Sequence, residues 1–156
     1  MISVVIPSFN SAKLLQKNLP RLIKLLNSSK LNFEIIVVDD ASTDKSVNLL
    51  RSHLANQGET FLRIIENPKN LGFASTVDRG IRAARGEIVF TLKTDSLPAS
   101  PDYFKLMLKH FKNKQVFSVT AALKTMENGK EEIRGAGEIY FEKGFFLHRR
   151  SQFFVD

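Results

Sequence analysis

The 156-residue chain has no cysteine, which excludes a disulfide framework, a zinc-thiolate site and a cysteine nucleophile and fits a reducing compartment. Its three histidines show no metal-binding spacing. No apolar run approaches the roughly 20 residues needed to span a bilayer. Met1 leads directly into Ile2-Ser-Val-Val-Ile6 with no basic stretch ahead of a small-residue cleavage site, so no secretory signal is expected and a cytoplasmic location is the default. The first apolar run is not followed by Gly-x-Gly-x-x-Gly, which argues against a dinucleotide-binding domain.

What is present is enough for a substantial core. Hydrophobic residues make up 43% of the chain, and its length favours one domain over several. Twenty-three basic residues against 16 acidic give a net charge of +7. That balance favours an anionic partner, whether a nucleotide, an acidic membrane surface or a nucleic acid, without choosing among them.

Short β-branched runs alternate with segments of helical period, the pattern of a parallel sheet covered by helices. The periodicity predicts strands over 2–6, 33–39, 60–65, 87–92 and 116–123. Leu15, Leu19, Leu22 and Leu26 share one face of a first helix, in which Pro20 predicts a kink or a late start. Thr43 or Asp44 can cap a second helix carrying Val47, Leu50 and Leu54. Ala74, Val77, Ile81 and Ala84 form the stripe of a third, with Gly86 as its C-cap. Pro101 and Asp102 open a fourth, bearing Phe104, Met107, Leu108 and Phe111. Asn128-Gly129 marks a hairpin turn, and the tail from about Glu138 reads as extended.

Charge at strand ends is the informative feature. Ile35-Ile-Val-Val38 delivers Asp39 and Asp40 to the end of a buried strand, and a polar turn, Ala41-Ser-Thr-Asp44, follows at once. The carboxyl edge of an open α/β sheet is where ligands bind, so the pair reads as half of a nucleotide pocket. The plain rival is that these carboxylates cap the next helix. The fourth strand also ends near a carboxylate, in Lys93-Thr94-Asp95.

Four motifs in order, Val4-Val-Ile-Pro7-Ser-Phe-Asn10, Ile36-Val-Val-Asp39-Asp40-Ala-Ser-Thr-Asp44, Asn67-Pro-Lys-Asn70-Leu-Gly72-Phe and Gly80-Ile-Arg-Ala-Ala-Arg-Gly86-Glu, resemble family 2 glycosyltransferases. The resemblance covers residues 2–125 and, more loosely, 135–150, where rhamnosyltransferase-like members are similar. It implies the GT-A fold, a Rossmann-like, open, mostly parallel sheet with helices on both faces. It also implies a nucleotide-diphosphate-sugar donor, inverting transfer and Mg2+ or Mn2+. By that likeness Pro7, Ser8, Phe9 and Asn10 meet the nucleoside. Asp39 and Asp40 accept from base or ribose, with Asp40 favoured for the base. Asn70 and Gly72 lie on a loop that closes on the nucleotide, and Asp78 stands where relatives have Asn. Lys93, Thr94 and Asp95 match a metal-binding Asp-x-Asp, so Asp95 keeps an oxygen ligand for a hard cation while Lys93 reverses the first charge. Lys93 either points away from the site or neutralises phosphate itself.

The resemblance implies attack by an acceptor hydroxyl on the anomeric carbon, assisted by a general base. No residue here reads as that base: Glu127, Glu131, Glu132 and Glu138 fall in a turn or edge strands. The expectation is therefore a nucleotide-sugar-binding α/β domain over 1–125, with residues 126–156 beginning an acceptor-side region and the chain acting mainly as a donor-binding half. Expected partners are the nucleotide-diphosphate sugar and a saccharide, lipid-linked or cell-envelope acceptor. The basic, Phe-rich tail would contact a membrane or a second copy, placing the protein in the cytoplasm or at the inner membrane face. Nucleic acid is not expected, since no recognised motif interleaves aromatic and basic residues and the acidic strand ends would repel phosphate without metal. The alternative function is a non-catalytic nucleotide-binding or scaffold protein of the same fold.

Overall fold

The computed structural model describes residues 1–57, 60–127, 130–134, 137–142 and 145–150. It divides into two compact units, Met1–Leu106 and Met107–Asp156.

The first unit is built on four parallel strands, β1 (Ile2–Ser8), β2 (Phe33–Asp39), β3 (Leu62–Glu66) and β4 (Ile88–Thr91), in the order β3-β2-β1-β4. The two central strands read as continuous apolar runs because both their faces are covered. Val4, Val5 and Ile35 through Val38 are fully buried. Helices α1 (Ala12–Ser29), α2 (Ser46–Gln57) and α3 (Phe73–Ala83) connect the strands, and α4 (Tyr103–His110) begins after β4. The leucine stripe of α1 is buried as the spacing predicts. Its helix starts at Ala12 and runs on through Pro20, which rules out the late start. Pro20 is exposed, so the ring deprives only the solvent-facing Gln16 carbonyl of a donor.

Helix α3 packs on β1 and β2 differently from its apolar pattern. Thr76 and Gly80 are its buried positions, whereas Ala74 and Ile81 are exposed. The cause is Gly80, which brings the helix backbone so near β1 that an added Cβ would strike the Val5 side chain. Gly86 is not the C-cap; Ala84 is. Gly86 instead runs against β1, where a Cβ would lie 2.6 Å from Ser3 N and 2.7 Å from Ile2 C. Beside it lies a buried knot at the amino edge of the sheet. Ser3 Oγ donates to Glu34 Oε1 at 2.7 Å, the Arg85 N–H to the same oxygen at 2.6 Å, and Arg63 Nη1 to Glu34 Oε2 at 2.9 Å.

The second unit holds two antiparallel pairs, β5 (Leu123–Glu127) with β6 (Lys130–Arg134), and β7 (Gly137–Glu142) with β8 (Phe145–Arg150). The first is the hairpin that Asn128-Gly129 predicts, those two residues themselves lying outside the described set. The predicted strand over 116–123 is displaced: 116–122 has no regular structure and β5 starts at Leu123. Among the described residues that stretch finds no partner strand, and Phe117 is 96% exposed, so its β propensity goes unused. Among the described residues no helix is long and apolar enough to cross a membrane.

Candidate functional site

The carboxyl ends of β1, β2 and β4 come out at one edge of the sheet. Ser8 pairs in register with Asp39, and the Leu92 N–H donates to the Val5 carbonyl at 3.0 Å just after β4 ends. The two buried aspartates at the end of β2, Asp39 within it and Asp40 just past it, need partners, because a buried charge without hydrogen bonds is costly. Both find them, and neither caps α2. Asp39 accepts from the Ser42 N–H at 2.8 Å and from Ser42 Oγ at 2.6 Å. Asp40 reaches the 67–72 loop instead: its Oδ1 accepts from Asn67 Nδ2 at 2.7 Å and the Leu71 N–H at 2.8 Å, and its Oδ2 from the Gly72 N–H at 2.9 Å. Burial alone would raise the Asp40 pKa, but Asn67, Leu71, Thr76 and Gly72 together hold it below the ordinary aspartate value.

Asp44 does the capping. Its Oδ1 accepts from the Ser46 N–H of α2 at 2.9 Å, and its Oδ2 from the Ala12 N–H of α1 at 3.0 Å. Burial pushes its pKa up, and Ser46 and Ala12 more than reverse that. Asn10 locks the same turn to β1: its Oδ1 accepts from the Thr43 N–H at 2.8 Å, and its own N–H donates to Ser42 Oγ at 2.9 Å. Asn10 and Ala41 both hold positive φ, 48° and 60°. Such backbone is uncommon outside glycine and gathers at functional sites.

Beside this network lies a cleft of about 230 Å³, lined by Pro7, Ser8, Phe9, Asp40, Asn70, Gly72, Phe73 and Thr76. Six of the residues singled out in the sequence thus meet in one concavity. Ser8 Oγ is buried in its wall with no hydrogen-bond partner among the described residues, an exception that calls for a ligand or other explanation. Phe9 and Phe73 are 48% and 63% exposed, leaving two aromatic faces open at the same place. Asn67 and Phe73 belong to the third motif but not to the site residues expected from it, and Thr76 lies outside every motif and gives no signal; Asn67 and Thr76 hold Asp40.

Asp78 is not drawn into the cleft. It lies on the exposed side of α3, accepting from Arg82 Nε at 2.7 Å. Lys93 and Thr94 line a separate small cavity with Leu15, Asn18 and Leu92. Asp95 is exposed, 3.9 Å from Lys93 Nζ through Oδ2, and its Oδ1 accepts from Ser96 Oγ at 3.0 Å. Among the described residues no group of three or more His, Cys, Asp or Glu could hold a metal. One accessible carboxylate fits a cation that arrives on a diphosphate and keeps water and phosphate oxygens, rather than one caged by protein.

Known proteins resemble this chain in sequence and fold. The profile of Glycosyl transferase family 2 matches residues 3–155. A dolichyl-phosphate beta-glucosyltransferase of Dictyostelium discoideum is 30% identical over 107 residues, 65% of this chain and 33% of that protein. An undecaprenyl-phosphate 4-deoxy-4-formamido-L-arabinose transferase of Edwardsiella ictaluri is 34% identical over 94 residues, 60% of this chain and 29% of its own. Among solved structures, the mannosyltransferase PcManGT from Pyrobaculum calidifontis, in complex with GDP-Man and Mn2+, superposes with a TM-score of 0.66 at 27% identity, covering 74% of this chain and 33% of that one. S. aureus TarS with UDP shares the fold, at a TM-score of 0.53 and 22% identity over 70% of this chain and 32% of its own. The chain spans about a third of the length of the relatives it matches.

Proposed function

The chain belongs to glycosyl transferase family 2 and has the GT-A fold, and on that premise we propose that its cleft binds the nucleoside of a nucleotide-diphosphate-sugar donor. The observation that carries this reading is Ser8 Oγ, a buried hydroxyl in the wall of a cleft without a partner among the described residues. A nucleoside offers the missing hydrogen bond, and its flat base suits the exposed rings of Phe9 and Phe73. Asp40, kept ionised by the 67–72 loop, faces a base N–H. Asn10, Asp39 and Ser42 support the cleft from behind, and Asn70 and Gly72 form its rim. The diphosphate extends toward Lys93, Thr94 and Asp95. Mg2+ or Mn2+ on the diphosphate would be met by Asp95 and would neutralise charge on the leaving group.

Transfer inverts the anomeric centre and passes the sugar to a lipid-linked phosphate or related cell-envelope acceptor. Relatives named for dolichyl-phosphate and undecaprenyl-phosphate support this acceptor class. Such acceptors sit at a membrane, and the net charge of +7 favours peripheral attachment to an anionic surface. The test is calorimetric titration with uridine, thymidine, guanosine and adenosine diphosphates in Mn2+, followed by a transfer assay to a polyprenyl phosphate in vesicles. The reading expects selective binding of one base; equal or absent binding of all four contradicts it. A second reading, a binder without transfer, is favoured by the Lys93–Asp95 pair and would give nucleotide binding with no sugar transferred.

A further inference from the structure

We infer that Lys93 is a diphosphate-binding residue that allows a nucleoside diphosphate to bind without a divalent cation, an inference that rests on the donor-site reading above. β4 leaves the sheet next to β1, so Lys93 emerges at the edge where Pro7 to Asn10 and Asp40 gather. The turn it opens is pinned on both sides. The Ser96 N–H donates to the Lys93 carbonyl at 3.1 Å, and Asn18 Nδ2 of α1 donates to the Thr94 carbonyl at 2.8 Å. Lys93 and Asp95 therefore stand on a fixed backbone while their side chains remain 68% and 54% exposed.

Charge decides what such a pair can hold. At 3.9 Å the ammonium and carboxylate are too far apart for a hydrogen bond and form a loose, solvated ion pair that is easily exchanged. A dication seated on Asp95 would face the Lys93 ammonium as a like charge. Among the described residues no cluster of three or more acidic, imidazole or thiol groups stands there to offset it. A diphosphate reverses the balance, because its oxygens accept charge-assisted hydrogen bonds from the ammonium directly. The Lys93 charge then does at the phosphate part of what a cation would otherwise do.

The test titrates the full chain with uridine diphosphate, guanosine diphosphate and inorganic diphosphate, in Mn2+ and in EDTA, as wild type, Lys93→Ala and Lys93→Asp. Wild-type affinity for the nucleotide that binds should fall less than about threefold on removing Mn2+, whereas Lys93→Ala should lose about tenfold or more in EDTA. Lys93→Asp, which sets two carboxylates on the turn, should bind only with Mn2+. Exposure of Lys93 predicts that all three proteins melt alike. Wild-type binding that disappears in EDTA, or EDTA binding that survives Lys93→Ala, overturns the role of Lys93 and leaves the donor cleft standing. No nucleotide bound in either buffer overturns both.

Discussion

The Gly72 N–H donates to Asp40 Oδ2 at 2.9 Å, so the N-cap residue of α3 is held by the carboxylate just past β2. Gly72 has φ +82°, a conformation that glycine adopts without strain. The contact makes one carboxylate both the floor of the cleft and the anchor of its rim. Asp40→Ala would strand the donors of Asn67 and Leu71, while the Gly72 N–H keeps Asn70 Oδ1 at 3.1 Å, and should cost about 3 kcal/mol in urea unfolding. Nucleotide binding should be lost with it.

Acid should weaken the fold for the same reason. Asp40, Asp44 and Glu34 all lie below their ordinary values of 3.8, 3.8 and 4.5, against the raising effect of burial. A depressed folded pKa gives stability that is fully present above the unfolded value and is lost as pH falls through the folded one. Urea midpoints should therefore stay flat near neutrality and decline below about pH 4.5, the ordinary glutamate range. Asp44→Asn should flatten that decline; an unchanged acid limb contradicts the assignment.

Glu34 separates stability from binding. Its partners Ser3, Arg63 and Arg85 lie at the amino edge of the strands, away from the cleft. Glu34→Gln should lower stability by about 2 kcal/mol, the scale for a disturbed buried charged network. Nucleotide affinity of the folded fraction should stay at the wild-type value, as read by titration.

The glycines of the fourth motif offer a packing test. Gly80→Ala would press a methyl onto Val5 and Val38, stiff and buried, and should cost about 1–2 kcal/mol despite the better helix propensity of alanine. Gly86→Ala meets backbone atoms of Ile2 and Ser3 and should cost more. Thermal melts of the two variants rank them.

Much of this was legible in the chain because period and composition act locally. The buried runs of β1 and β2 and the leucine face of α1 followed from spacing alone. The gathering of Pro7 to Phe9 with Asp40, Asn70 and Gly72 was implied by the resemblance to family 2 glycosyltransferases rather than by spacing. What escaped depends on contacts distant in sequence. The α3 stripe moved because Gly80 meets Val5, Gly86 is a close approach rather than a cap, and 116–122 has β propensity without a partner. Spacing leaves the aspartate pair open between ligand contacts and helix caps; neither caps α2, and Asp39 bonds Ser42 while Asp40 holds a loop some 30 residues away.

Ser8→Ala tests the donor cleft most directly, because a structural and a ligand-binding hydroxyl respond in opposite ways. Removing a buried hydroxyl that has no partner among the described residues should leave urea stability equal or slightly raised, yet weaken nucleoside diphosphate binding by about fivefold to tenfold, the worth of one hydrogen bond. Wild-type nucleotide affinity in Ser8→Ala, or a loss of stability in its place, would contradict the account.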